Sequence, residues 1–416
     1  MGRMGPGVQL RPFQVDCVKH LHSGKVLAAG VGAGKSIMSL YWYVTQCCSY
    51  DKSSNLNGEL FKLKPSSPDL YIITTAKKRI SQEWNDELLR FNLIAGSNSH
   101  GMGNVYVTID SWNNIRKYEG VKDAVFIFDE QRAIGSGVWA KAFVKIAKAN
   151  KWLMCSATPA DGWQDWCSIF IADGFHRNRT EFFRRHAVYS RFTKFPMVTK
   201  WIDTEYLEKC RDAVLVTCTV PRDTERVWHD LTCGYDRDAV KKAMKTRWNP
   251  ETEAPFANAN ELVIYLRRLI NTDKTRLSYA SHVCKDHRRT IIFYSLNAEL
   301  EEILKLESET GIKVYQFNGH KHDPLPEGSD WIYAVQFFSG SEGWNCTTTD
   351  TILYWSLPYS YKQFEQAAGR IDRLDTKYKI LNYYVMKSFS PLDISIGRAL
   401  SNKKDFNLRA FMKKTE

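Results

Sequence analysis

The chain lacks any uninterrupted apolar run long enough to cross a bilayer, and its first residues, MGRMGPGVQLRPFQ, lack the apolar core of a signal peptide. It also lacks a C-x-x-C pair, because its ten cysteines are scattered and only Cys47 and Cys48 are adjacent. Scattered cysteines are typical of reduced thiols and not of a disulfide framework or a zinc site. The sequence therefore predicts a cytoplasmic protein without a membrane segment.

Acidic residues are in deficit. The 416-residue chain has 46 acidic residues against 58 lysines and arginines, which gives a formal net charge of +12. A basic balance of this size favours a polyanionic partner, although a generally basic surface without a partner has the same composition. The chain is longer than a domain with a single hydrophobic core usually is, so two domains are expected.

The stretch KVLAAGVGAGKSIMSLYWYV reads as a strand, a glycine-rich loop and a helix. Glycines let backbone amides curl around phosphates, and the N-terminus of the following helix adds its positive end. Lys35 can then reach the β- and γ-phosphates of ATP, and Ser36 can bind Mg²⁺. The strict pattern has glycine at position 29, where this chain has Ala29. The predicted nucleotide-binding loop comprises Gly30, Gly32, Ala33, Gly34, Lys35 and Ser36.

The segment LRPFQ precedes this loop and predicts a helix that begins at a proline. Alone the segment means little. Beside a phosphate-binding loop, Gln14 is a candidate to read the adenine edge, with Phe13 packing nearby.

Two carboxylates follow the all-apolar run VFIF. Extended runs at Leu70–Ala76, Asn104–Asp110 and Ala124–Arg132 alternate with helix-like stretches, which predicts a parallel α/β sheet. Carboxylates at the carboxyl end of a buried strand face the ligand edge of such a sheet. We expect Asp129 to hold Mg²⁺ through water and Glu130 to activate the attacking water.

A further apolar run, KWLMCSATP, ends in hydroxyl-bearing residues. By itself it is a strand that enters a turn. Ser156 and Thr158 are candidates to bridge the carboxylate pair to whatever lies opposite, and so to couple the two.

The second half contains strands without a second phosphate loop. The segments RTIIFYSL, KVYQFNG, WIYAVQFFSGSEGWN, TILYWSL and KILNYYVM predict strands, and NAELEEILKL predicts a helix. The sequence therefore predicts a first α/β lobe over residues 1–190, a linker with lead-in helices over 191–280, and a second α/β lobe over 281–416.

The ordered motifs LRPFQ, AGVGAGKS, TTAKKR, DEQR and SATP resemble the first lobe of superfamily 2 helicases and translocases. LRPFQ, and QEW after TTAKK, are closer to the Swi/Snf-type branch than to DEAD-box RNA helicases. The closing SPLDISIGRALSNKKDFN is similar to the tail of compact phage-encoded helicases, which would place the protein in a host cytoplasm. The resemblance implies two RecA-like parallel-sheet lobes in tandem, with ATP and Mg²⁺ in the cleft between them.

One position departs from this family. Where the family usually has histidine after the carboxylate pair, this chain has Arg132. The family uses that position to couple hydrolysis to movement, so Arg132 puts the coupling in doubt while leaving nucleotide binding in place.

The second-lobe segments SGSEGWN and QAAGRIDR resemble motifs V and VI of the same superfamily. Arg370 and Arg373 are expected to lie three apart on one helix face. The resemblance implies that they meet the γ-phosphate, with Arg373 as the arginine finger and Arg370 as a phosphate contact. It also implies nucleotide contacts from Gly343, Asn345 and Gln366.

A two-lobe motor of this family binds its track across both lobes, opposite the nucleotide edge. The matching residues are Lys77, Lys78, Arg79, Ser111 and Asn113 in lobe one, and Ser295, Asn297 and Ser339 in lobe two. Most are expected to contact phosphate, which gives affinity without sequence reading. The basic run HRNRTEFFRRHAVYSRFTK, with aromatics interleaved, fits a nucleic-acid face and equally a solvated amphipathic helix.

Three functions are compatible with these motifs. The favoured one is an ATP-driven DNA translocase or helicase that works as a monomer in phage or bacterial replication, recombination or repair. It would act on single-stranded, duplex or branched DNA, with replication or recombination proteins as candidate partners. An RNA helicase is disfavoured by LRPFQ and by the absence of a DEAD tetrad. A nucleotide-dependent DNA clamp or scaffold with little turnover stays open because of Arg132.

Overall fold

The computed structural model describes residues 7–30, 32–96, 105–130, 137–157, 159–160, 162–190, 196–221, 223–340 and 344–415, excluding the side chains of residues 339, 340, 409 and 413–415. The chain divides into two compact units, Met1–Pro221 and Arg222–Glu416. Among the described residues, no helix combines the length and the apolar character needed to cross a membrane.

The first unit alternates strands and helices. Its strands are β1 Lys25–Ala29, β2 Tyr50–Asn55, β3 Gly58–Leu63, β4 Leu70–Thr74, β5 Val107–Ser111, β6 Val125–Asp129, β7 Lys151–Ser156, β8 Ala187–Tyr189, β9 Val198–Trp201 and β10 Leu215–Cys218. Its α-helices are α1 Pro12–Val18, α2 Lys35–Trp42, α3 Ala76–Ile80, α4 Glu83–Arg90, α5 Val138–Ala149, α6 Trp163–Ala172, α7 Arg179–His186 and α8 Thr204–Val214. A π-helical turn, Tyr43–Cys47, and a 3-10 segment, Trp112–Tyr118, complete the described elements.

Six of these strands form one parallel sheet in the order β10-β1-β7-β6-β4-β5. Every residue of β6 is buried, as expected for a parallel strand covered on both faces. Because parallel strands end at the same edge, the phosphate loop after β1 and the carboxylates after β6 share that edge, separated by β7 alone. The predicted parallel α/β sheet is confirmed.

The strand ends differ from the sequence prediction by a few residues. The run predicted as Leu70–Ala76 ends at Thr74, because Thr75 caps α3 and its side chain accepts a hydrogen bond from the backbone amide of Lys78. The run predicted as Asn104–Asp110 is a strand over Val107–Ser111. Two antiparallel hairpins, β2 with β3 and β8 with β9, stand outside the parallel sheet.

The second unit has the same kind of architecture. Its strands are β11 Glu225–Cys233, β12 Trp248–Asn249, β13 Ala254–Pro255, β14 Arg289–Tyr294, β15 Val314–Phe317, β16 Trp331–Gln336, β17 Thr351–Tyr354 and β18 Ile380–Ser388. Its helices are α9 Arg237–Thr246, α10 Ala259–Asn271, α11 Lys274–Asp286, α12 Asn297–Leu304, α13 Leu306–Thr310, α14 Phe337–Gly340, α15 Tyr361–Ala368, α16 Pro391–Ser401 and α17 Leu408–Thr415. The predicted strand WIYAVQFFSGSEGWN stops at Gln336, where α14 begins.

A second six-stranded parallel sheet runs in the order β11-β18-β17-β14-β16-β15. The two units are therefore tandem α/β lobes built on parallel sheets, as the sequence predicts. The range 191–280, predicted as a linker, contains β10 of the first sheet and β11 of the second sheet. The boundary between the units falls inside that range, at residues 221 and 222.

Candidate nucleotide-binding site

The glycine loop joins β1 to α2. Gly32 and Gly34 have φ values of 80° and 79°, the left-handed region that glycine adopts without a steric penalty. Gly34 is the N-cap of α2, and Lys35 is the first helical residue. The ammonium of Lys35 donates hydrogen bonds to the carbonyls of Ala29 (2.9 Å) and Gly30 (3.0 Å). Lys35 therefore bonds back to the carbonyl groups at the end of β1 and the start of its own loop.

Gln14 packs directly against this loop. Its amide nitrogen donates to the carbonyl of Ala33 (2.9 Å), and its side-chain oxygen accepts from the backbone amide of Arg11 (2.9 Å). Gln14 is buried in α1, while Phe13 packs partly buried against the core. The structure therefore gives Gln14 a contact with the loop itself, and its role at adenine stays a prediction.

The carboxylate of Asp129 lies at the end of β6, and one of its oxygens receives three donors. Oδ2 accepts from Thr74 Oγ1 (2.8 Å), Lys78 Nζ (2.9 Å) and Trp84 Nε1 (3.2 Å). Thr74 and Trp84 were not among the predicted site residues, although Trp84 belongs to the segment QEW. These donors fix the orientation of the carboxylate at the ligand edge.

Glu130 follows with a left-handed backbone, φ 59°, which is uncommon for a residue other than glycine. Its backbone amide donates to the carbonyl of Cys155 (2.9 Å), and its side chain is buried, with Oε1 3.8 Å from Lys78 Nζ. Backbone strain of this kind persists where the surrounding structure enforces it, and it is common at functional sites.

Two ammonium groups share this edge. Burial lowers the pKa of Lys35, the nearby charge of Lys78 lowers it further, and the carboxylates of Glu130 and Asp129 oppose the shift. Burial also disfavours the charged form of Lys78, but the two carboxylates outweigh it and raise the pKa of Lys78 above its usual value. Lys78 is therefore a permanent cation at this edge.

Ser36 lies in the first turn of α2, and its hydroxyl and the Asp129 carboxylate offer oxygen donors of the type that Mg²⁺ prefers. The chemistry of these two side chains fits a magnesium ion. Ser156 is fully buried at the end of β7, paired in register with Ala28 of β1. The other two predicted coupling residues, Arg132 and Thr158, lie outside the described residues.

The predicted track residues of the first unit lie at or after the ends of the neighbouring strands β4 and β5, and they differ in exposure and in partners. Lys77 and Asn113 are exposed. Arg79 pairs with Asp110 (2.9 Å). Lys78 turns to the carboxylates at the end of β6, and Ser111 is buried at the end of β5, so contact of these two with nucleic acid stays a prediction.

The basic run after α6 is divided between core and surface. Phe182 and Phe183 are buried in the core, and the guanidinium of Arg179 lies 4.1 Å from the ring centroid of Phe183. These two rings therefore stabilise the first unit, whereas Tyr189 is exposed and Phe192 lies outside the described residues.

Two buried histidines lie in the same region. Nε2 of His176 is 2.9 Å from Nε2 of His186. Burial lowers the pKa of both rings, and the charge of Arg185 adds to this while Asp203 opposes it. The folded protein therefore favours the neutral pair.

In the second unit, the pair of arginines is not on one helix. Helix α15 ends at Ala368, before both arginines, so the predicted helix face shared by Arg370 and Arg373 is wrong. Gln366, the predicted nucleotide contact, is buried within α15. The guanidinium of Arg370 is buried and donates to the carbonyl of Trp344, while Arg373 lies beyond the helix and is partly exposed. Asp372, between them, accepts from Arg226 Nε (2.6 Å) of β11 and was not predicted.

The remaining predicted residues of this unit differ in exposure. Asn345 and Asn297 are exposed, and Gly343 lies outside the described residues. Ser339 lies in α14, and its side chain is outside the described part. The hydroxyl of Ser295 accepts from Arg267 (3.1 Å), and its amide donates to the buried carboxylate of Glu299 (2.8 Å).

No family model and no curated protein matches the chain. The chain is similar to the solved SWI2/SNF2 ATPase core of Sulfolobus solfataricus in complex with dsDNA, at 13% identity and a TM-score of 0.42, covering 100% of this chain and 96% of that one. It is also similar to the Hef helicase domain of Pyrococcus furiosus, at 12% identity and a TM-score of 0.49, covering 94% and 97%. The α/β fold of each unit follows from its own strand order and register.

Proposed function

We propose that the protein is an ATP-dependent DNA helicase or translocase of the superfamily 2 type. The observation that carries the proposal is the shared edge of the first sheet. The phosphate loop with Lys35 follows β1 at this edge, and Asp129 and Glu130 lie at the end of β6, with β7 between the two strands. A lysine on a glycine loop, opposite two carboxylates, is the arrangement that phosphoryl transfer to water requires.

Each residue has a part in this reaction. Loop amides and the Lys35 ammonium bind the β- and γ-phosphates, which requires Lys35 to leave the carbonyls of Ala29 and Gly30. Ser36 and Asp129 would hold Mg²⁺, which neutralises phosphate charge when bound. Glu130 takes a proton from the attacking water as the water oxygen bonds to the γ-phosphorus, while the bond from the γ-phosphorus to the β,γ-bridging oxygen breaks and ADP leaves.

The second unit enters the proposal through its arginines. The resemblance assigns Arg373 to the charge that develops on the γ-phosphate and Arg370 to a phosphate contact. The burial of Arg370 against the Trp344 carbonyl favours a supporting part for Arg370 and leaves the more exposed Arg373 as the finger.

DNA is the proposed track. The net charge of +12 supports a polyanionic partner, and Lys77, Asn113 and Asn297 are predicted track residues that lie exposed on the surface. Sequence-independent contacts of this kind suit a motor that moves along many sequences.

ATP hydrolysis by the purified chain tests the proposal, measured alone and with single-stranded DNA, duplex DNA, forked DNA and RNA, each at two salt concentrations. We expect stimulation by DNA that weakens as salt rises, because phosphate contacts release counterions. Stimulation by RNA alone would establish an RNA helicase in place of the DNA motor. Bound ATP with no stimulated hydrolysis would favour the clamp.

A further inference from the structure

Lys78 occupies an unexpected place for a residue of the segment TTAKKR. It lies in the short helix α3, and its side chain is only 18% exposed. Its ammonium is 2.9 Å from Asp129 Oδ2 and 3.8 Å from Glu130 Oε1, and those two carboxylate side chains are 2% and 8% exposed. Lys78 is therefore the counter-ion of both carboxylates.

Four ionic side chains balance one another at this edge, and the exposed Glu83 of α4 acts on Lys78 in addition. Lys35 and Lys78 supply two positive charges, and Asp129 and Glu130 supply two negative charges. Without Lys78 the edge would carry a net negative charge beside the phosphate loop. A nucleotide polyphosphate, itself strongly negative, would then be repelled unless a divalent cation came with it.

We propose that Lys78 is a resident counter-cation that partly replaces Mg²⁺ in nucleotide binding, so that this chain binds nucleotide without a metal ion. The inference rests on the nucleotide site of the proposed function and deepens it. Lys78 acts through the carboxylates and touches no reacting atom, so it is a positioning residue. Hydrolysis still requires the metal ion, because Lys78 faces the carboxylates and does not bridge the phosphates.

Removal of the charge leaves the carboxylate anchored. In the variant Lys78→Met, Thr74 and Trp84 still donate to Asp129 Oδ2. Methionine also matches the length of the lysine stem. The matched control is Lys145→Met, which removes a lysine from an exposed ion pair with Glu119 (3.2 Å) elsewhere in the same unit.

The experiment is equilibrium binding of a fluorescent β,γ-imido ATP analogue, in excess EDTA and in excess Mg²⁺, to the full chain and its variants. We expect the wild-type protein to bind in EDTA within about tenfold of its affinity in Mg²⁺. Lys78→Met should lose about tenfold or more in EDTA and about threefold or less in Mg²⁺, because the metal ion supplies the missing charge. Lys145→Met should match the wild type in both buffers, and Lys78→Arg should keep most of the binding in EDTA.

Three results would overturn the inference: no binding by the wild type in EDTA, an equal loss in both buffers for Lys78→Met, or no loss in either. Thermal unfolding of each variant shows whether an equal loss of nucleotide affinity in both buffers comes from misfolding or from the missing charge. Lys78→Arg keeps the charge and the fold, so its affinities in EDTA and in Mg²⁺ repeat the comparison. If the wild type fails to bind even in Mg²⁺, the proposed function itself fails, which is a distinct outcome.

Discussion

The contact between Gly34 and Gln14 allows a quantitative prediction. A Cβ at position 34 would meet the amide nitrogen of Gln14 at 2.4 Å and Ile37 Cγ2 at 3.1 Å. The backbone there is left-handed, φ 79°. Gly34→Ala therefore adds a steric penalty at the backbone and also displaces a buried side chain that bonds the phosphate loop.

The two effects can be separated in magnitude. An alanine in the left-handed region costs about 1 kcal/mol. Displacement of Gln14 breaks its hydrogen bonds to Ala33 and Arg11, each worth about 1 kcal/mol net. We expect Gly34→Ala to destabilise the first unit by about 3 kcal/mol, which is a fall in Tm of roughly 6–12 °C for a domain of this size.

The chain offers a matched control. Gly174, in the same unit, has φ 83°, and a Cβ there would meet nothing within 4 Å. Gly174→Ala should cost only about 1 kcal/mol, the backbone part alone. The two units can unfold in separate calorimetric transitions. The transition whose Tm changes in Gly174→Ala is the transition of the first unit.

Gln14→Ala supplies the decisive comparison. In that background the collision with Gln14 is gone and only the 3.1 Å approach to Ile37 Cγ2 is left, so the cost of Gly34→Ala should fall toward that of Gly174→Ala, about 1 kcal/mol. If Gly34→Ala and Gly174→Ala are equally destabilising in the wild type, or if Gln14→Ala leaves the cost at position 34 unchanged, the assigned contact between Gln14 and the loop is wrong.

Four further outcomes are expected. Lys35→Ala should abolish nucleotide binding in an equilibrium titration, because the phosphates lose their ammonium partner. Glu130→Gln should bind ATP but hydrolyse it about 10² to 10⁴ times more slowly, the range for loss of a general base. Arg373→Ala should bind ATP normally and lose about 10³-fold or more in rate, and an unchanged rate would exclude it as the finger. Because burial lowers the pKa of His176 and His186 below the usual 6.5, the unfolded chain takes up protons first, so the Tm should fall as the pH drops from about 6.5 to about 5. His176→Gln should flatten that profile, and an unchanged slope would contradict the assignment.

The architecture of the first unit was largely predictable. Continuous apolar runs such as β6 mark buried parallel strands, and the carboxyl ends of such strands share one edge, so Lys35, Asp129 and Glu130 could be brought together without coordinates. Strands β10 and β11 were not recognised, because β10 has only four residues and β11 is largely polar and half-exposed, and both pair with strands far away in the sequence.

Side-chain direction was the part that the sequence could not give. Lys77, Lys78 and Arg79 look like one basic cluster, but successive helical residues point about 100° apart. Their directions depend on where α3 starts, which is set by the Thr75 cap. The helix end before Arg370 did leave a signal, since Gly369 follows the last helical residue and glycine commonly terminates helices.

The strand orders also determine when each unit can be completed during synthesis. The phosphate-loop strand β1 lies between β7 and β10, and β10 ends at Cys218, so β1 lacks one neighbour until nearly all of the first unit has been made. In the second unit β11 has a single sheet partner, β18, and Glu225 pairs with Ile380. The chain between β11 and β18 is long, so the pairing of these two strands is slow, and β11 is exposed without its partner until it forms. A nascent chain can therefore assemble the first sheet while the second is still absent, whereas an interruption before β18 leaves the edge of the second sheet open to pairing with another chain.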